Sequence, residues 1–169
     1  WDVIKDWLLR VLCDNDSVAY SYLINWLAHA IQYPEIKPEV MIILMGPEGT
    51  GKGTLLRILT MIFGDVVFSA DKAEQLVGRF NGVLNDKFIV WSDEAIFVGN
   101  EKHKDSLKSV ISEPHISTEI KHQTIQQVKS FHRFIAATNH EHFANIEVSD
   151  RRNAFLRVST EHAKDTVYF

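Results

Sequence analysis

Apolar residues recur with a helical period along the first part of the chain. Ile4, Trp7, Leu8, Val11 and Leu12 fall on one stripe, with Lys5, Asp6 and Arg10 off it, so residues 2–13 are expected to form an amphipathic helix. Asp14, Asn15 and Asp16 form a turn able to cap a second helix. That helix runs to about Gln32, with Tyr22, Leu23, Trp26, Leu27 and Ile31 on its stripe, and Pro34 and Pro38 end it. Beyond residue 39 the pattern changes. Residues 40–45 are continuously apolar, as a strand covered on both faces should be. Residues 88–91, 134–137 and 154–158 read as further strands, and residues 52–63 as a helix. The alternation predicts an α/β fold: a central, mostly parallel sheet flanked by helices. A small amino-terminal helical subdomain (1–38) precedes the core (39–169).

Composition narrows the class. The 169 residues suffice for one domain, and 46% hydrophobic with 24% charged residues is ordinary for a soluble globular protein. A single cysteine, Cys13, excludes an internal disulfide framework and fits a reducing compartment; in its apolar helical stretch it reads as a small buried residue. No apolar run approaches bilayer length and no signal peptide is evident, so a cytoplasmic protein without a membrane partner is expected. The start at Trp1, without a methionine, reads as an excerpt of a longer polypeptide. Net charge is -4, yet residues 101–133 carry six basic and four acidic side chains, a local +2. Any nucleic-acid contact is therefore expected to be local to this stretch.

Three strand ends carry the chemistry. Gly46-Pro47-Glu48-Gly49-Thr50-Gly51-Lys52 has the spacing G-x-x-x-x-G-K between an expected strand and an expected helix. Glycines let successive backbone N–H groups surround a phosphate, and the helix points its positive end at the same anion. Lys52 supplies a point charge for β- and γ-phosphates. The hydroxyl that usually follows the lysine is displaced: Gly53 stands there and Thr54 comes next, so Thr54 is assigned to magnesium. Asp93 and Glu94 end the next strand, where ligands bind in open α/β sheets. Asp93 is expected to hold the magnesium shell and Glu94 to polarise the attacking water. Asn139 ends a third strand, and its amide can hydrogen-bond both the γ-phosphate and the water. Asp150-Arg151-Arg152 precedes the last strand, as a surface ion pair or as an arginine finger acting on a neighbour's nucleotide.

These elements, in this order, resemble superfamily 3 helicases, above all the primase–helicases of phages, plasmids and large DNA viruses. The resemblance covers nearly the whole chain. Leu23 to Gln32 (Leu-Ile-Asn-Trp-Leu-Ala-His-Ala-Ile-Gln) with Pro34 looks like the helix these proteins carry before the phosphate loop. Gly49 to Leu55 resembles their loop in its Gly-Lys-Gly-Thr form. Asp93-Glu94 matches their second motif, Thr138-Asn139 their sensor and Asp150-Arg151-Arg152 their arginine-finger region. The resemblance implies an AAA+-like P-loop core, ATP and Mg2+ as cofactors, and a homohexameric ring hydrolysing ATP at subunit interfaces. It also implies translocation on single-stranded nucleic acid, usually DNA, and further domains of the same polypeptide, such as a primase or polymerase. The family inserts a helix and a channel-lining β-hairpin between the second and third motifs. Here residues 104–111 read as the helix and 115–129 as the hairpin, with Lys121 and His122 near its tip.

A P-loop nucleotide kinase shares Gly-Lys-Gly-Thr but needs a second substrate pocket and an arginine-rich lid, neither of which the sequence shows. A non-unwinding loading or remodelling ATPase fits the loop but not the basic hairpin. His140 and His142, with Glu141 between them, lack a second cluster and read as a polar loop rather than a zinc site.

Overall fold

The computed structural model describes residues 1–79, 81–93, 101–139, 150–165 and 167–168, with the side chains of residues 101–104 left aside. The first helix, α1 (Asp2–Trp7), continues into a π-helical turn over Leu8–Leu12. Asp14 and Asn15 then take positive φ, and the Asp16 carboxylate caps α2 (Ser17–Gln32) by accepting from the amides of Val18 and Ala19. The chain goes on through β1 (Met41–Met45), α3 (Lys52–Phe63), β2 (Val67–Ala70), the short α4 (Glu74–Val77) and β3 (Ile89–Asp93). It finishes with α5 (Glu101–Ser112), the strands β4 (His115–Thr118) and β5 (Gln126–Lys129), β6 (Arg133–Thr138) and β7 (Asn153–Arg157).

β2, β3, β6, β1 and β7 form one sheet in that spatial order, and every pairing is parallel. The expected strands are present within two residues at their ends, and two elements, β2 and α4, are additions. The period-2 alternation inside β1 sorts its side chains to two cores. Ile42 and Leu44 join Trp91, Ile135, Leu55, Leu59 and the amino-terminal helices on one face. Met41 and Ile43 join Val90, Phe134, Leu76 and Val110 on the other. The residues of the two amino-terminal helices thus share a core with the sheet.

The stripe on α2 differs from the expected one. Leu23, Trp26 and Ala30 are buried, whereas Tyr22 and Ile31 are exposed. A face at positions 23, 26 and 30 fits the 3.6-residue period with a small residue at the close approach, and it rotates Tyr22 and Ile31 outward. Ile4 is likewise partly exposed while Trp7, Leu8, Val11 and Leu12 are buried. Cys13 is buried, and burial, helped by Asp16, pushes its thiol up to about 12. Among the described residues no helix is long and apolar enough to cross a membrane.

Arg133, counted above with the basic stretch, is fully buried at the start of β6 and adds nothing to the surface charge of that stretch. Its guanidinium donates to the carbonyls of Tyr33 at 2.8 Å, Phe131 at 2.9 Å and Ile36 at 3.0 Å, and stacks over the Phe88 ring at 4.3 Å. The acceptors at the end of α2 carry that helix's negative pole, which is why a cation is tolerated there.

Candidate functional site

Parallel strands bring their carboxyl ends to one edge of the sheet, and three of the expected motifs meet there. The turn after β1 uses positive φ at Gly49 (78°) and Gly51 (88°), conformations open to glycine. A Cβ on Gly49 would also come within 2.9 Å of the Lys164 side chain. Gly51 opens α3, and Lys52 follows as its first residue. Lys52 is only 9% exposed, and its ammonium donates to the carbonyls of Gly46 and Pro47 and, at 3.0 Å, to Asn139 Oδ1. Thr50 closes the turn by donating its hydroxyl to the Pro47 carbonyl.

A cleft of about 700 Å³ opens over this turn. Its lining includes Lys52, Gly53, Thr54, Asp93 and Asn139, the loop residues from Glu48 to Gly51, and Ala137. β6 lies between β1 and β3, so the amide and the carboxylate flank the loop from neighbouring strand ends. Asp93 is held in place by Trp91: the indole, on a fully buried ring, donates to one carboxylate oxygen at 2.9 Å. A Cβ on Gly53 would meet open space. Glycine is therefore not sterically required at the position that departs from the usual loop. Glu94 lies outside the described residues, as do His140, Glu141 and His142. Among the described residues no cluster of three or more His, Cys, Asp or Glu gathers that could hold a metal ion on its own.

Three residues of the cleft escaped the sequence reading: Arg57, Lys164 and Asp165. Arg57 stands four residues after Gly53 on α3, so helical spacing already places it on the loop's side. Lys164 and Asp165 belong to a segment with no periodicity. It folds back so that the Lys164 amide donates to the Gly49 carbonyl at 2.8 Å.

The remaining expected residues lie elsewhere. Arg151 and Arg152 stand at the amino edge of the sheet, at the start of β7 and a strand length from the phosphate turn. Arg152 pairs with Asp150 at 3.1 Å and reaches the Ser112 hydroxyl; Arg151 is exposed and has no ion pair among the described residues. Burial pushes the Asp150 carboxyl up, but the backbone N–H and guanidinium of Arg152 outweigh it and hold the group below the ordinary carboxylate range. Lys121 and His122 are exposed in the turn between β4 and β5, where the Gln123 amide donates to the Ile120 carbonyl and His122 has φ 68°. Asn81 fixes the first hairpin strand by donating to the Ser117 carbonyl and accepting from the Glu119 amide, and Arg79 pairs with Glu119 at 3.1 Å.

Comparison with known proteins gives a consistent picture. The chain is 35% identical over 155 residues to the DNA primase-polymerase of Nitratiruptor phage NrS-1, which covers 89% of this chain and 21% of that protein. It thus spans about a fifth of that relative. Solved apo structures of the NrS-1 C-terminal region superpose with TM-scores of 0.81 at 30% identity and 0.78 at 29%. They cover 99% of this chain and 43% and 42% of those chains. This likeness makes the chain a homologue of that C-terminal region. A family model described as a family of unknown function, DUF5906, matches residues 44–152, from β1 to the arginine pair. The chain belongs to the DUF5906 family.

Proposed function

We propose that this chain is the ATP-hydrolysing motor of a phage-type replication protein: a superfamily 3 helicase domain, built on an AAA+-like P-loop core, within a longer primase–helicase. The observation that carries the reading is the convergence of Lys52, Thr54, Asp93 and Asn139 on one cleft at the carboxyl edge of a parallel sheet. The relative's name, a DNA primase-polymerase, supports a replication setting and DNA as the strand.

The residues present fit a nucleotide and its cation. Two left-handed glycines turn the backbone around the position of a phosphate, and Lys52 sits at the start of α3, where the helix dipole also favours an anion. A hydroxyl from Thr54 and a carboxylate from Asp93 are the hard oxygen donors that Mg2+ prefers. When bound, Mg2+ neutralises charge on the β- and γ-phosphates. Lys52 trades a carbonyl acceptor for phosphate oxygen. Asn139, already in contact with Lys52, hydrogen-bonds the γ-phosphate and the water, and Glu94 takes the water's proton.

In a homohexameric ring the exposed Arg151 acts on the neighbour's nucleotide, while Arg152 stays on Asp150. Lys121 and His122 contact the phosphates of a single strand passing through the ring.

The test uses Glu94→Gln and a mixed ring. Glu94→Gln is expected to bind ATP while hydrolysis falls by two orders of magnitude or so, the ~10²-fold scale of lost general-base catalysis. Rings mixing Arg151→Ala with Lys52→Ala should regain part of their activity, because some interfaces then hold both an intact loop and an intact finger. Parent-rate hydrolysis by Glu94→Gln, or no recovery in verified mixed rings, refutes the corresponding assignment.

A further inference from the structure

We infer that Asn81 and Gly82 form a cradle for the β4–β5 hairpin, and that Asn81 is a positioning residue that holds the hairpin tip where it meets a nucleic-acid strand. The inference rests on the reading above that Lys121 and His122 contact such a strand. It gives a role to a segment that this reading leaves unused.

A hairpin of two four-residue strands has little stability of its own in water. Its inner face is held by Ile116, which is buried in the same core cluster as Leu84, Val110 and Ile111. Its feet are held by Lys37, which donates to the Glu113 carbonyl before β4 and to the Ser130 hydroxyl after β5. Both attachments lie toward the base of the hairpin.

The attachment nearest the tip comes from the chain that enters the helical turn Gly82–Asp86. The Asn81 side-chain amide donates to the Ser117 carbonyl at 3.0 Å, and its oxygen accepts from the Glu119 amide at 3.1 Å. The Gly82 amide donates to the Glu119 carbonyl at 3.2 Å. Three main-chain groups between Ser117 and Glu119 are thus bonded to this segment, much as they would be to a neighbouring strand. Asn81 is only 6% exposed, so removing its amide leaves groups poorly served by water. The approach is close: a Cβ on Gly82 would collide with Ile120 Cγ1 and come within 3.0 Å of the Glu119 carbonyl oxygen. The cradle is itself fixed. Leu84 is fully buried, and its carbonyl accepts from His132 Nε2 at 2.8 Å, just before β6. Lys121 lies two residues beyond Glu119, at most about 7 Å of chain. A tip that short takes the direction set at Glu119, so Asn81 governs where the Lys121 ammonium points its charge.

Fluorescence anisotropy with a labelled single strand tests this on the full polypeptide, assembled with a non-hydrolysable ATP analogue, at two salt concentrations. Asn81→Ala should weaken strand binding several-fold and lower the salt slope by about 1, as Lys121→Ala should, because the lysine is displaced instead of removed. Combining the two changes should bind no more weakly than the weaker single variant, since one contact can be lost only once. Gly82→Ala should show the same pattern by pushing the hairpin away with the Asn81 side chain still present, and it serves as the test if Asn81→Ala does not fold. Losses that multiply in the double variant, or parental affinity in both Asn81→Ala and Gly82→Ala, overturn the cradle and leave the hairpin reading standing. Failure of the parent to bind, or Lys121→Ala with the parent's affinity and slope, overturns the hairpin reading and this inference with it.

Discussion

Two cations lie buried at opposite edges of the sheet, and they have different fates. At the amino edge, Arg133 is wholly enclosed and spends its planar fork on backbone carbonyls, most of them where α2 ends. At the carboxyl edge, Lys52 is nearly as buried but donates to two turn carbonyls and to an amide side chain at the wall of an open cleft. Both donate to several acceptors, although the Nε of Arg133 finds none among the described residues, and neither burial nor charge separates a structural cation from a functional one. What separates them is whether the acceptors can be exchanged. The carbonyls of Tyr33, Ile36 and Phe131 close over a guanidinium that is itself fully buried. Those around Lys52 face space in which phosphate oxygens can take over. A strand end in a parallel sheet provides such space, and a strand start roofed by a helix does not.

The comparison breaks first on nucleotide affinity. Lys52→Ala should lower ATP affinity by about 100-fold or more, a loss of roughly 3 kcal/mol. The melting temperature should stay within about 2 °C of the parent, because water in the open cleft can serve the released carbonyls. A collapse in thermal stability would place Lys52 with Arg133 as a structural cation.

The complementary change comes next. Arg133→Met should cost about 3 kcal/mol, since several part-buried carbonyls lose a charged donor and its stacking on Phe88. For a chain of this size that is a fall of roughly 6–12 °C in melting temperature. ATP affinity measured well below the transition should be near the parent value. Unchanged stability in denaturant titrations would show that the carbonyls at the end of α2 do not need the guanidinium.

A solvent-exposed cation offers a third case. Lys121→Ala should reduce single-strand affinity several-fold and lower the salt slope by about 1 per binding site contacted. Basal ATP hydrolysis should be unaffected, as the residue does not line the cleft. Fluorescence anisotropy at two salt concentrations decides it, and an unchanged slope in an assembled ring removes the hairpin from the mechanism.

A fourth case, read through pH, is Lys37, which donates to the carbonyls of Val110 and Glu113 and to the Ser130 hydroxyl. Burial, opposed by Glu39 and Glu113, pushes its ammonium down to about 8 from an ordinary 10.5. Between these values the unfolded chain binds more protons than the folded one, so stability should rise with pH across that window. Lys37→Met should lack this rise in unfolding measurements at pH 8 and pH 10. An identical pH profile in the variant would show that the ammonium is not desolvated.

Much of the carboxyl edge was legible because its signals are local. A glycine-rich turn between a continuous apolar run and a helix, an acidic strand end and an amide strand end each need only a few consecutive residues. β1, β3 and β6 were recognisable as strands because both faces are covered and each holds a run of consecutive apolar residues. β2 was not: Val67-Phe68-Ser69-Ala70 is short, interrupted by Ser69 and sits at the sheet's edge, where one flank needs no partner. Arg133 reads in the sequence as one more basic residue, because most of its acceptors come from residues 29–36, about a hundred positions away. Lys164 and Asp165 are illegible for the same reason. Their place over the turn depends on a return of the chain that no periodicity records.

The middle strand of the sheet ties these observations together. β6 begins with Arg133, locked to the end of α2, and is followed at its far end by Asn139, in contact with Lys52. All six of its residues are buried, and both of its edges are paired. Mechanically it is a strut about 20 Å long, at roughly 3.3 Å per residue, pinned at both ends and braced along its sides. A strut of this kind does not absorb displacement by bending. Asn139 at the cleft and the end of α2 are thus the two ends of one continuous, braced element.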